Sequence, residues 1–242
     1  MKKIVIIPND TKDVGLNVTK TVVDCLKGRA QLVMEDKFSA CGFAAEYKNK
    51  DVFCGADCVI VIGGDGTMLR VAEPCGKYAI PVMGINMGKI GFMTEVEIRD
   101  IDSACQKLLE GEYKIEKRMM MDIKIHKNGQ ETATYTALND AVVSKSDAKM
   151  ISVELYADRN KISAYVADGI IISTPTGSTG YSLSAGGPVA EPCMELFIAS
   201  PICAHMLNSR PALMSADKEI VLKLSGGNAA VTIDGEMSEH LS

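Results

Sequence analysis

Residues 59–67 read Val-Ile-Val-Ile-Gly-Gly-Asp-Gly-Thr. Gly63, Gly64 and Gly66 surround one acid, Asp65, and Thr67 follows. Glycines let a backbone turn sharply and let a phosphate chain come close to the main chain. An acid in such a loop repels phosphate. It makes sense where the acid acts on a proton or a metal beside the phosphates, which is the layout of a phosphoryl-transfer site.

A second chemical segment runs from Ala167 to Pro188. Three isoleucines follow Asp168-Gly169, and then comes Ser-Thr-Pro-Thr-Gly-Ser-Thr-Gly-Tyr-Ser-Leu-Ser-Ala-Gly-Gly-Pro. The isoleucines predict a short strand. The loop after it is dense in hydroxyls and glycines and carries one aromatic, Tyr181. Such a loop offers small hydrogen-bond donors and acceptors and a ring on which a base can stack. That suits a polyhydroxylated, aromatic ligand such as a nucleotide. The plain alternative is a polar turn between two strands. Asn139-Asp140, at the end of an apolar run, can clamp a ribose diol or the edge of an adenine. On the dipeptide alone, an ordinary turn or bulge is by far the better explanation.

The elements around these residues alternate at first between strand and helix. Lys3 to Ile7 reads as a strand, and Val14 to Lys27 as a helix with Val14, Val18, Val22 and Leu26 at helical spacing. Gln31 to Met34 is a second strand, and Ala40 to Tyr47 has a weak helical pattern broken by Gly42. Asp57 to Ile62 is the strand that feeds the glycine loop. Thr67 to Glu73 begins a helix expected to end at Pro74, and Ile80 to Ile85 is another strand. This alternation predicts a parallel sheet with covered faces, and sites in such sheets lie beyond the carboxyl ends of the strands. Gly63–Thr67 and Asn86–Phe92 both fall there. Ile98 to Leu109 reads as a helix with Asp100 or Asp102 as cap and Gly111 past its end.

After that helix the period drops to two, in Met121–His126, Val153–Tyr156 and Ile220–Leu224. Asn128-Gly129 signals a hairpin. The expected organisation is therefore an α/β N-terminal domain with a parallel sheet, residues 1–98, and a β-rich, sandwich-like C-terminal domain, residues 99–242.

Composition narrows the function classes. The chain has 242 residues, a net charge of -5 and 47% hydrophobic residues, enough for a real core. The mild acidity and the lack of a basic-aromatic patch argue against nucleic-acid binding. Apolar runs are strand-sized, so no membrane association is expected. The start, Met-Lys-Lys-Ile-Val-Ile-Ile-Pro, lacks the long apolar region and cleavage site of a signal peptide, which points to the cytoplasm. The eight cysteines form no CxxC pair and read as reduced thiols. The three histidines sit in no metal-binding or hydrolase pattern. No metal ligands are therefore assigned to the protein.

The chain resembles the NAD kinase family, which phosphorylates the 2′-hydroxyl of the adenosine ribose of NAD. The resemblance covers nearly the whole length. It rests on Gly63-Gly-Asp-Gly-Thr67, Gly84-Ile-Asn-Met-Gly-Lys-Ile-Gly-Phe92, Leu138-Asn-Asp140 and the segment from Asp168 to Pro188. It continues in Ser200-Pro-Ile-Cys-Ala-His205, Ser209-Arg-Pro211 and Ile233-Asp-Gly235. The glycine loop alone is moderately specific, because lipid kinases carry a similar one. The Thr-Pro-Thr-Gly-Ser-Thr-Gly-Tyr run, in order after the others, is strongly specific.

The resemblance implies roles. Asp65 would be the catalytic carboxylate, taking or placing the proton of the ribose hydroxyl. Gly64, Gly66 and Thr67 would line the phosphate path, and Phe92 would face the adenine of NAD. Asn139 and Asp140 would bind NAD through its adenine or ribose hydroxyls. Asp168, Thr179, Gly180, Tyr181 and Ser184 would complete the dinucleotide pocket. Apart from the resemblance, Lys89 in the Gly88-Lys-Ile-Gly91 turn could touch a phosphate, and a solvated lysine is an equal reading. The resemblance also implies ATP or polyphosphate as donor, with Mg²⁺ carried on the donor's phosphates, and a homodimer or homotetramer.

Two departures stand out. Gly180 replaces the alanine of many relatives, and similar proteins usually continue with further strands after the segment matching Asp234-Gly-Glu236. Two rival readings remain at this point: a lipid kinase sharing the glycine loop, and a non-catalytic NAD- or NADP-binding sensor.

Overall fold

The computed structural model describes residues 2–49, 51–88, 91–206 and 209–241. Lys89 lies outside the described residues. The chain divides into two compact units, Met1–Ile115 and Glu116–Ser242. Among the described residues, no helix is long and apolar enough to cross a membrane.

The first unit contains β1 (Lys3–Pro8), α1 (Asn17–Leu26), β2 (Gln31–Glu35), β3 (Glu46–Lys48), β4 (Cys58–Gly63), α2 (Asp65–Lys77), β5 (Val82–Asn86) and α3 (Ile101–Glu110). Its five strands are all parallel, in the order β3-β2-β1-β4-β5. Alternation along each strand sorts the apolar residues onto two faces. Ile4, Ile6, Cys58, Ile60 and Ile62 meet Val22 and Leu26 of α1 and Ile101, Cys105 and Leu108 of α3. Val5, Ile7, Val59 and Val61 face the other way and meet Val71 and Cys75 of α2. A sheet buried on both faces is what continuous β-branched strands specify.

The structure departs from the sequence expectations in three places. The weak helix at Ala40 to Tyr47 is absent. A 3₁₀ turn over Asp36–Cys41 ends at Gly42, whose φ is 65°, and the chain then forms the short edge strand β3. The helix expected to stop at Pro74 runs on to Lys77. Proline removes one helical donor, but Val71 and Cys75 are anchored in the valine-lined core on either side of it. The division expected near residue 98 precedes α3, whereas the compact units divide after it. Helix α3 shares its core with α1, and Cys25 Sγ of α1 donates to Asp102 Oδ1 at 2.8 Å.

The second unit begins with the hairpin of β6 (Met121–Lys127) and β7 (Gln130–Ala137). Its turn holds Asn128 and Gly129 at φ 54° and 78°, as Asn-Gly predicts. A three-stranded antiparallel sheet follows the order β10-β9-β14, with β9 at Ile151–Ala157, β10 at Asn160–Ala167 and β14 at Ile220–Gly226. A six-stranded antiparallel sheet contains β8 (Asp140–Lys145), β11 (Gly169–Ser173), β12 (Leu196–Ile202), β13 (Ala212–Ser215), β15 (Ala229–Ile233) and β16 (Glu236–Leu241). Its order is β13-β12-β11-β8-β15-β16. Val143, Ile170, Ile172, Ala199 and Val231 of this sheet share a core with Ile151, Val153 and Leu155 of β9. The unit is a β-sandwich, and the opposite face of the six-stranded sheet is left to build a site.

Candidate active site

In the first unit the strand order reverses between β1 and β4, and the glycine loop leaves β4 there. Ligand crevices in open parallel sheets form at such a reversal, outside the carboxyl ends of the strands. Gly64 caps α2 and Asp65 is its first residue. The first N–H groups of a helix have no intrahelical partners and favour anions. Asp65 Oδ2 accepts the N–H of Phe92 at 2.9 Å, and Oδ1 accepts the N–H of Met93 at 3.2 Å. Phe92 is 64% exposed, so a planar ligand can reach it.

Thr67 is buried, and its hydroxyl accepts Asn9 Nδ2 at 2.9 Å. A Cβ on Gly63 would lie 2.9 Å from Thr67 Cβ, so the loop closes only over a glycine. Thr67 thus ties α2 to the end of β1. Lys12, just past β1, brings its Nζ to 2.8 Å from where a Gly64 Cβ would stand. Neither Asn9 nor Lys12 stood out in the sequence, because both act from a different strand end.

In the second unit, the start of β8 and the carboxyl ends of β11 and β15 come together: Asp140 pairs with Ser173, and Ala141 with Ile233. Period two places Asp140, Val142 and Ser144 on one face. With Asn139, Tyr181, Thr232, Asp234 and Gly235 they line a pocket of about 420 Å³. Asp234-Gly235 is a hairpin turn with φ 47° and 85°. From it, Asp234 Oδ2 accepts Leu138 N–H at 2.8 Å, and Oδ1 accepts Asn139 and Asp140 N–H at 2.8 and 3.0 Å. Asp234 therefore shapes the Asn139-Asp140 turn. Burial, and then the charge of Asp234, push the Asp140 carboxyl up to about 6. Among the described residues, Asn139 Oδ1 is buried without a hydrogen-bond partner.

The hydroxyl-rich segment divides its labour. Thr174 Oγ1 donates to the Leu138 carbonyl at 2.6 Å, Ser178 Oγ accepts Ala190 N–H at 3.0 Å, and Ser182 and Ser200 hydroxyls meet at 2.9 Å. These side chains are buried and hold the segment on the sheet. Gly180, Tyr181 and Ser184 remain exposed around the short helix α4 (Tyr181–Ser184). Thr179 is half-buried, its hydroxyl donating to the Thr176 carbonyl at 3.3 Å. Gly180 lies beside the pair, a Cβ there standing 3.9 Å from both Asn139 Nδ2 and Asp140 Oδ2. Asp168 is placed apart from them. It precedes β11, at the opposite end from Ser173, and pairs with Lys145 at 2.7 Å.

A parallel α/β unit with a carboxylate at its strand-order reversal, joined to a sandwich with a polar pocket, defines a kinase that handles nucleotides. The comparisons with known proteins agree. The pattern of the ATP-NAD kinase N-terminal domain matches residues 4–113, and that of the ATP-NAD kinase C-terminal domain matches residues 138–242. An NAD kinase of Thermoanaerobacter sp. (strain X514) is 41% identical over 248 residues, covering 100% of this chain and 87% of that protein. One from Caldanaerobacter subterraneus subsp. tengcongensis is 39% identical, covering 98% and 86%. The structure of an NAD kinase from Archaeoglobus fulgidus in complex with ATP superposes with a TM-score of 0.74 at 27% identity, covering 98% of this chain and 91% of that one. Yeast NADH kinase complexed with NADH shares the fold, with a TM-score of 0.89 at 19% identity over 100% of this chain and 77% of that one. The chain belongs to the NAD kinase family.

Proposed function

We propose that this chain transfers a phosphoryl group from ATP to the 2′-hydroxyl of the adenosine ribose of NAD, giving NADP. The observation that carries this reading is Asp65 at the head of α2, at the strand-order reversal, in a chain of this family. Phosphoryl transfer is mostly positioning and charge stabilisation. Asp65 orients the hydroxyl and receives its proton as the bond to phosphorus forms. The N–H groups at the head of α2, with Gly64 and Gly66, accommodate the donor's phosphates, and Thr67 holds that loop in shape. Asn139, Asp140 and Tyr181 bind NAD through its hydroxyls and adenine, with Thr179, Gly180 and Ser184 beside them. Phe92 presents a ring to the adenine.

Among the described residues, no group of three or more His, Cys, Asp or Glu side chains is arranged to hold a metal. Mg²⁺ suits this arrangement when carried by the donor, since it keeps phosphate oxygens and waters as ligands. Bound there, it neutralises charge on the transferring group. Polyphosphate is a second possible donor with the same phosphate chemistry. The working form is a homodimer or homotetramer in the cytoplasm.

The test is direct. The purified chain is incubated with NAD, ATP and Mg²⁺, and NADP is detected with a strictly NADP-dependent dehydrogenase. NADP formation is expected. Folded protein that binds NAD and forms no NADP would instead be a sensor.

A further inference from the structure

We propose that Gly91 and the backbone N–H groups of Phe92 and Met93 are a positioning device for Asp65, and that Gly91 is glycine to leave room for that carboxylate. The inference rests on the reading of Asp65 as the catalytic carboxylate. The two N–H groups engage one oxygen each, at 2.9 and 3.2 Å, and the Thr94 hydroxyl stands 3.5 Å from Oδ1. A carboxylate oxygen accepts about two hydrogen bonds. Met93 N–H and the Thr94 hydroxyl therefore fill Oδ1, and Oδ2, held by Phe92 N–H, keeps a free direction for a substrate hydroxyl while the orientation of the group is fixed.

The donors are themselves anchored. Thr94 is 2% exposed and packs on Gly84 of β5, where a Cβ would lie 2.8 Å from Thr94 Cγ2. Val96 bridges to Ile85, donates to the Gly84 carbonyl at 3.1 Å, and accepts the Asn86 N–H at 2.8 Å. The segment that grips Asp65 is thus tied to the strand next to β4. Two glycines make this possible, one under Thr94 and one against Asp65.

Gly91 is not required for its backbone angles, since its φ lies outside the left-handed region. The requirement is space. A Cβ there would stand 2.7 Å from Asp65 Cγ and closer still to Oδ1. What it would strike is the end of one short side chain, which can swing aside. A methyl group at 91 therefore displaces the carboxylate and leaves the fold in place. Phe92 links the device to the ligand: its N–H holds Oδ2 while its ring faces outward.

The test is Gly91→Ala in the full chain. Misplacing a reacting group by about 1 Å can cost on the order of 10²-fold in rate. The expected result is a kcat drop of that order, with the dissociation constant for NAD within about 3-fold of wild type. In an Asp65→Asn background, Gly91→Ala should lower kcat by less than about 2-fold more, because its effect passes through Asp65. Wild-type kcat in Gly91→Ala overturns the proposal, as does a loss that multiplies in full with Asp65→Asn. Should Gly91→Ala unfold, thermal melting decides. Asp65→Ala removes the obstruction, so Asp65→Ala/Gly91→Ala should melt near Asp65→Ala. A double variant that melts as low as Gly91→Ala refutes the contact. A wild-type chain that makes no NADP would sink the proposed function instead, and the melting comparison would still judge the grip on Asp65.

Discussion

Asp234 accepts the backbone N–H of Asp140 at 3.0 Å, and its charge adds to burial in raising the Asp140 carboxyl to about 6. One residue thus builds the turn and makes ionisation of its neighbour costly. The sign for stability follows. The ordinary value is 3.8, so below it both folded and unfolded chains carry the proton and Asp140 contributes nothing. As pH rises from 3.8 to about 6 the unfolded chain ionises while the folded chain keeps the proton, and a destabilising contribution grows to on the order of 2–3 kcal/mol, fully present above about 6. Asp140→Asn should therefore raise stability at pH 7–8 and leave it nearly unchanged at pH 4. Urea unfolding at the two pH values checks this. Equal effects at both would refute it.

The same group should make NAD binding depend on pH. A ribose hydroxyl donates best to an ionised Asp140. The dissociation constant for NAD should rise as pH falls through about 6, approaching tenfold per pH unit below it. Calorimetric titration from pH 5 to 8 measures the curve, and Asp140→Asn should bind weakly with no such slope. A flat curve in the wild type would mean that Asp140 does not contact the ligand.

Asp234→Ala should be among the most damaging single changes in the second unit. It leaves the N–H groups of Leu138, Asn139 and Asp140 without their acceptor. Hydrogen bonds to a charged group contribute about 1.5–3 kcal/mol each. Water will replace some of them, and relief of Asp140 offsets part of the loss. A net destabilisation of at least about 2 kcal/mol is expected on those terms, together with loss of NAD binding. A variant with wild-type stability and affinity would show that the turn holds its shape without Asp234.

Asp65→Asn keeps the shape of the head of α2 and removes the charge. Turnover should fall by at least about 10²-fold, the lower end of general-base contributions. NAD binding should persist. Near-normal turnover would remove Asp65 from the role of base.

How far these relationships were legible depended on distance along the chain. The parallel sheet was, because its strands are β-branched runs and each face is written in alternate residues: isoleucines toward α1 and α3, valines toward α2. Asp65 was legible from its own loop. Its grip by Phe92 and Met93 was not, since those donors are backbone groups 27 and 28 residues away. Gly91 gave no local signal either, because its reason is space and not turn geometry. The hydroxyl-rich segment announced a polar site without saying which hydroxyls would be used up inside it. Thr174, Ser178 and Ser182 are consumed by the fold, and only packing distinguishes them from Ser184. Helix α2 passes Pro74 for the same kind of reason: the buried side chains around it outweigh one missing donor.

Two glycines of that segment, three residues apart, should respond very unequally to alanine. A Cβ on Gly177 would stand 2.6 Å from the Asn139 carbonyl carbon and closer to its oxygen. Those atoms are backbone, held by Asp234 on one side and by the Thr174 N–H on the other, so they cannot move aside as a side chain can. Gly177→Ala must shift either the Asn139 turn or the 3₁₀ turn over Thr176–Thr179. Overpacking of this kind costs roughly 1–3 kcal/mol, and it distorts the residues assigned to NAD. Gly180 differs: a Cβ would meet the Gly177 carbonyl oxygen at 3.3 Å, a contact a few tenths of an ångström can relieve. Gly180→Ala should change stability and NAD affinity by less than about 0.5 kcal/mol. Melting curves and NAD titrations on the two variants give the comparison. If Gly177→Ala binds NAD as the wild type does, the close approach to Asn139 does not shape the pocket.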